Sequence, residues 1–425
     1  MAPAEGSNDA PMPTRAVPRN DRRFSGIPEL YHVSAYVIVL IVRFSARGKS
    51  FFMKKHVLAL SLLFSCSAAS PSVPGTWSSD QIDQLAGWID AAPKEALYLP
   101  PATDFIAARR SGDPQNLQLS ATVAALTLAN GYLYGKDTVR KQAKWNVEAD
   151  TDNAIDLSAR LTESLTKNDV DGFFRSLRPH HPDYAVLRTA FATEADPARR
   201  AKLARNMERW RWMPQSLGNR YLLVNAAAFE VGLWDNGQKV QSWPVVIGKA
   251  KTPTPVFSTQ VTGVNYNPWW NIPKSIVAES VGALTRKNPA EAKRRGYVWA
   301  DGQFRQRPGR TNALGLMKLV MPNDYTIYLH DTPEQASFKK PARAFSHGCI
   351  RVGDALAFAS TLLTGTADQK QIDTVLASGK TTTLSLAEPL PVYIVYFTAD
   401  VADRGVVRFH ADTYGRDAAI SYLKQ

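Results

Sequence analysis

Ser346-His347-Gly348-Cys349-Ile350-Arg351, preceded at a distance by Tyr328-Leu329-His330, sets one thiol directly after a histidine and a glycine, with another histidine 19 residues upstream. A thiol becomes a strong nucleophile only as the thiolate, so it needs a base or an imidazolium within hydrogen-bond reach. His330 supplies that partner if the chain turns back between the two. Asp331-Thr332-Pro333 and Lys339-Lys340-Pro341 carry the turn formers that permit the return. Tyr328 lies two residues before His330, so on a strand both side chains share a face, and Tyr328 either assists an oxyanion with its hydroxyl or packs as an aromatic. Gly348, without a Cβ, can take the strained turn that presents the thiol and leave its own N–H free for a developing oxyanion. His347 adjoins the thiol in sequence, yet neighbours on a turn often point apart, so it either braces the loop or helps orient the reacting groups. Cysteine is also a commonly buried, inert residue; the surrounding pattern argues against that here.

The pattern Tyr-x-His, a loop, then Ser-His-Gly-Cys-x-Arg resembles the active-site signature of the L,D-transpeptidases of the YkuD type, which remodel bacterial peptidoglycan. Val246-Ile247-Gly248-Lys249, Asn267-Pro268-Trp269-Trp270-Asn271-Ile272-Pro273, Arg305-Gln306, Pro308-Gly309, Asn312-Ala313-Leu314-Gly315 and Leu329-His330-Asp331-Thr332-Pro333 resemble blocks of its large periplasmic subgroup. The resemblance implies Cys349 as nucleophile and His330 as general base, with Gly348, Tyr328 and His347 serving the oxyanion or orientation. Arg351, Arg305, Trp269 and Trp270 are the expected substrate-binding residues. Arg351 stands where some YkuD-type proteins carry Asn, and it either grips a substrate carboxylate or pairs with a structural acid. Trp269, Trp270 and Trp299 either line the cleft or belong to the core.

The implied reaction is formation of 3-3 cross-links between stem peptides through a cysteinyl thioester, with release of terminal D-alanine. With water as acceptor the same site gives an L,D-carboxypeptidase or a cross-link hydrolase. A non-catalytic wall-binding scaffold is a third reading, disfavoured by the intact thiol and imidazole. A papain-like protease is disfavoured because its cysteine precedes its histidine. The expected partners are peptidoglycan stem peptides, with an outer-membrane lipoprotein as a further acceptor.

The remaining sequence sets bounds on these readings. The chain has 425 residues, 44% of them apolar, which is long enough for two packed domains. Its two cysteines, Cys66 and Cys349, exclude a disulfide framework as the source of stability. The net charge is +13, and residues 1–69 hold nine Lys or Arg against four Asp or Glu, so the chain is basic without them. The basic residues are scattered rather than striped with aromatics, which disfavours nucleic acid and suits carboxylate-rich stem peptides. No histidine pair has zinc-ligand spacing and no Gly-rich phosphate loop occurs, so neither metal nor cofactor is expected.

Lys54-Lys55, the apolar run from Val57 and the small residues Ser67-Ala68-Ala69 describe a secretory signal peptide over 53–69. Residues 1–52 then read as a mis-assigned start or a disordered extension, the alternative being a membrane tether. The expected location is the periplasm of a Gram-negative bacterium, with membrane contact only if the signal stays uncleaved or Cys66 is lipidated.

After a Pro/Ser linker, 76–205 reads as an all-α scaffold domain. Leu119, Val123 and Leu126 sit at helical spacing within 116–129, as do Leu157, Leu161 and Leu165 within 153–165. Residues 120–135 resemble the scaffold of the same subgroup. From Tyr221 the period changes to that of strands, with Asp235-Asn236-Gly237 closing a hairpin and further strands expected at 316–320, 325–329 and 392–397. The fold class is therefore α+β: a mainly β catalytic domain over 210–400 preceded by the scaffold, with 401–425 packed on the catalytic domain. Residues 274–308 interrupt the strands with basic, helical text resembling the subgroup's substrate-capping lid. No peptidoglycan-binding repeat lies between the domains, which leaves substrate binding to the cleft and the scaffold.

Overall fold

The computed structural model describes residues 76–148 and 155–423. The expected signal peptide, the N-terminal extension and Cys66 lie outside the described residues. Among the described residues eight α-helices, interrupted by one short strand, precede the main run of strands: α1 (Ser79–Ala91), α2 (Thr103–Ser111), α3 (Pro114–Tyr134), α4 (Asp137–Gln142), α5 (Leu157–Thr166), α6 (Val170–Ser176), α7 (Pro182–Thr193) and α8 (Pro197–Arg211). Their starts are written locally. Ser78 and Gln81 form a reciprocal capping box on α1, and Asp113, Asp156, Asp169 and Asp196 each accept a backbone N–H at the start of a helix.

The face of α5 is buried as the spacing predicts, through Leu157, Leu161 and Leu165. On α3 the expected stripe is displaced: Leu119 is 67% and Val123 57% exposed, while Ser120, Ala121, Ala124, Ala125, Leu128 and Ala129 are buried. Small side chains let α3 lie close to its neighbours, and the bulk of that core comes instead from Trp88, Tyr132, Phe173 and Phe174.

The strands are β1 (Trp145–Asn146), β2 (Arg220–Asn225), β3 (Glu230–Asp235), β4 (Gln238–Gly248), β5 (Val256–Tyr266), β6 (Trp270–Asn271), β7 (Tyr297–Ala300), β8 (Gln303–Gln306), β9 (Met317–Val320), β10 (Leu329–His330), β11 (Ala344–Ser346), β12 (Ile350–Val352) and β13 (Thr382–Val395). The large sheet runs β1-β5-β13-β2-β3-β4-β12-β10-β9, with β11 beside β4. Pairing of β9 back onto β5 closes it on itself. Asn236 and Gly237 both have positive φ, as the tight hairpin between β3 and β4 requires.

The strand expected over 325–329 is reduced to its last residue and His330. Asn323 Oδ1 accepts the backbone N–H groups of Tyr325 and Ile327, and Thr326 takes a positive φ, so a turn displaces the strand there. The insertion is only half helical. Short helical turns over Lys274–Arg294, one of them a π-turn at Val277–Val281, give way to a β7–β8 hairpin that pairs with β6. Among the described residues no helix is long and apolar enough to cross a membrane.

Candidate active site

Strand register assembles the site. β10 runs parallel to β12, with Leu329 opposite Ile350 and His330 opposite Arg351, and antiparallel to β9, with His330 opposite Lys318. The Ile350 N–H donates to the Tyr328 carbonyl at 3.0 Å, which sets Cys349 beside Tyr328. Because side chains alternate across a strand, Leu329 and Ile350 enter the core while Tyr328, His330, Lys318, Cys349 and Arg351 share the opposite face.

Cys349 is the free cysteine among the described residues. Its Sγ lies 3.8 Å from the Thr326 carbonyl, and both the backbone N–H and the hydroxyl of Tyr328 address the sulfur. Burial pushes the thiol up, while the Tyr328 contacts and the charges of Lys318 and Arg351 pull it down. Burial and the neighbouring sulfur raise the Tyr328 phenol as well. His330 is 5% exposed, and burial, then the Arg351 charge, lowers its imidazole to about 3 against the pull of the Asp331 and Leu314 carbonyls. Its Nδ1 lies 2.5 Å from the Asp331 carbonyl, a contact that favours the tautomer with the proton on that nitrogen. No hydrogen bond joins imidazole to thiol among the described residues. Burial thus works against charge on both the thiol and the imidazole.

The thiol loop is braced from within. Ser346 Oγ donates to the Cys349 carbonyl at 2.5 Å and accepts the Gly348 N–H at 3.1 Å. The Gly348 amide, expected to be free for an oxyanion, is therefore engaged, because a nearer hydroxyl takes it. Thr254 Oγ1 donates to the Gly348 carbonyl at 2.7 Å and accepts the Gly248 N–H at 3.0 Å. Gly348 has φ +122°, and an added Cβ would meet Ile327 Cδ1 at 3.0 Å. Gly248 is needed for close approach, since a Cβ there would lie 2.1 Å from the Thr252 carbonyl and 3.1 Å from Gly348 Cα.

The other expected site residues divide. His347 is exposed and faces the insertion, with Nε2 2.7 Å from Glu279 Oε2 and 3.2 Å from Lys249 Nζ. Arg351 pairs with Glu334, the acid-pairing reading of that position. Trp270 is buried with Ile272, Val281 and Leu314 in a small cluster against which Tyr328 packs. Trp269 lies under the Arg305 guanidinium at 4.7 Å, and Arg305 also bonds Asp301 at 2.6 Å. Those contacts tie Arg305 to Trp269 on one side and to the β7–β8 turn on the other. Trp299 is 64% exposed. Among the described residues no group of three His, Cys, Asp or Glu gathers as for a metal.

Residues 219–383, which hold all of these groups, match the family of L,D-transpeptidase catalytic domains called YkuD, and residues 75–191 match a scaffold domain. The chain has a YkuD-type catalytic domain behind a helical scaffold domain. It is similar to a candidate L,D-transpeptidase of Haemophilus influenzae, 29% identical over 322 residues, covering 68% of this chain and 65% of that protein. The chain thus spans just under two thirds of that relative's length. Among solved structures, the Mycobacterium smegmatis L,D-transpeptidase is similar at 13% identity over 42% of this chain and 58% of that one, with a TM-score of 0.24. The catalytic domain of an E. faecium L,D-transpeptidase acylated by ertapenem matches at 13% identity, 42% of this chain, 97% of that one and a TM-score of 0.24.

Three residues of the YkuD-type site escaped sequence reading. Ser346 lies inside the quoted motif, where its hydroxyl could have been weighed as a rival for the Gly348 amide. Thr254 is 94 residues from its partner, and Lys318 joins through strand register, so neither has a local signal.

Proposed function

We propose that this chain is an exported, periplasmic L,D-transpeptidase that joins peptidoglycan stem peptides by 3-3 cross-links. The observation that carries the reading is the gathering of Cys349, Tyr328 and His330 on one face of the paired β10 and β12. In the proposed reaction the Cys349 sulfur attacks the diaminopimelate carbonyl of a tetrapeptide stem, and His330 accepts the thiol proton. An imidazole held low in pKa by burial is a weak base but gives the proton back readily to the departing D-alanine amine. With the Gly348 amide engaged by Ser346, the Tyr328 hydroxyl and the Cys349 N–H remain as oxyanion donors, and loss of one such donor typically costs about 100- to 1,000-fold in rate. The side-chain amine of a second diaminopimelate then attacks the thioester, the C–S bond breaks, the amine's proton passes through His330 to the released sulfur, and one peptide bond has replaced another without ATP.

The acceptor decides the class of enzyme, and water or an outer-membrane lipoprotein is the rival to a second stem. Incubation with disaccharide tetrapeptide, read by mass, distinguishes them. A dimer lacking one D-alanine is expected. Tripeptide as the sole product would make the enzyme a carboxypeptidase, and product formation by Cys349→Ala would overturn the thioester route altogether.

A further inference from the structure

We propose that Lys318 is a positioning residue for the thiol: its ammonium, held on the shared face of β9 and β10, favours the anionic form of Cys349 and so sets the pH at which the sulfur can attack. The proposal rests on Cys349 being the nucleophile of the proposed function.

The register carries the inference. Lys318 stands directly across from His330, and its neighbours Met317 and Leu319 enter the core, so its side chain leaves on the face that holds Tyr328 and Cys349. The ammonium lies 5.2 Å from the centroid of the Tyr328 ring, the residue whose backbone and hydroxyl address the sulfur. That aromatic face holds the cation over the site. Among the described residues Lys318 has no carboxylate partner. The other cation on this face, Arg351, is paired with Glu334. Asp331 is turned aside, accepting the Leu316 N–H at 2.8 Å.

The groups facing Cys349 are therefore few. β10 contributes His330, the residue before it Tyr328, β12 Arg351, which is paired with Glu334, β9 Lys318, and the preceding turn the Thr326 carbonyl. A half-buried ammonium without a counter-ion is stabilised by any negative charge that forms beside it. Only the sulfur and the phenol can supply one, and the phenol is the weaker acid of the two. Burial lowers the Lys318 ammonium while Cys349 raises it, in keeping with mutual stabilisation of ammonium and thiolate.

The test is alkylation of the full chain by iodoacetamide across pH, read by mass on the peptide containing Cys349 so that Cys66 does not contribute. Lys318→Met is expected to move the midpoint for Cys349 upward by about one pH unit, making alkylation roughly tenfold slower below it, and Lys318→Arg to restore most of the difference. If Lys318→Met does not fold, Lys318→Gln removes the charge while keeping a polar side chain, and the same shift is required of it. An unmoved midpoint in a folded, uncharged variant would overturn the proposal, as would a Lys318→Arg variant no better than Lys318→Met. The readout is independent of peptidoglycan: a shifted midpoint in an enzyme that makes no cross-links would count against the transferase reading alone.

Discussion

Gly348 and His330 carry the clearest consequences for single substitutions. At φ +122° and with Ile327 within 3.0 Å of an added Cβ, Gly348→Ala must strain the loop or move it. The expected cost is about 1–3 kcal/mol of stability, seen as a lowered Tm, together with loss of the proposed cross-linking read by mass. For His330, the folded imidazole is held near 3 while the unfolded one titrates at its ordinary value near 6.5. The folded state thus binds fewer protons between those values, so its stability is full above the unfolded value and is lost as pH falls toward the folded one. Thermal melts of His330→Gln should show a shallower loss of stability between about pH 6.5 and 3 than the parent protein. The same variant should lose acylation far more than stability at pH 7. Equal losses would reduce His330 to a packing residue.

At the scale of elements, the insertion is tied to the thiol loop through one carboxylate. Glu279, in the π-turn at Val277–Val281, meets His347 at 2.7 Å and Lys249 at 3.4 Å, and those contacts hold its carboxyl below the usual range. His347 immediately precedes Gly348, so movement of the insertion is felt where the thiol is presented. Exposed pairs of this kind contribute little to stability. Glu279→Gln should therefore leave the Tm nearly unchanged and spare acylation of Cys349 by the donor stem, while lowering cross-link yield several-fold, since transfer also needs an oriented amine and a dry thioester. Unchanged cross-linking would leave the tie without a role in transfer.

At the scale of the molecule, buried charge ties distant helices to one another. Arg211, at the end of α8, bonds Glu208 at 3.0 Å, the Glu95 and Ala96 carbonyls and the Tyr184 hydroxyl, while Glu208 accepts the Lys136 N–H. Arg211→Ala would strand a buried carboxylate at a cost of about 3–5 kcal/mol, measurable by denaturant unfolding. Asp183, at the start of α7, titrates in the opposite sense to His330. Burial and the nearby Asp400 raise its carboxyl from 3.8 to about 7. The folded state binds the extra proton in that window, so stability is lost as pH rises through it. Asp183→Asn is expected to raise the Tm at pH 8 and to leave it nearly unchanged at pH 4.

The contiguous text of the chain determined the chemistry on offer. A nucleophile on a tight turn needs its glycine and its flanking residues in immediate succession, so Ser346 to Arg351 is legible as a unit, and caps, the β3–β4 hairpin and the α5 stripe follow from equally local rules. Only the tertiary structure decided which groups meet. Leu119 and Val123 have the spacing of a buried stripe but lie outside it, because alanines pack closer. The Gly348 amide is taken by a hydroxyl two residues away, since rival acceptors are settled by geometry rather than order. Lys318 reaches the site because β9 is the strand beside β10, and choice of strand neighbours is a property of the closed sheet that no local pattern encodes.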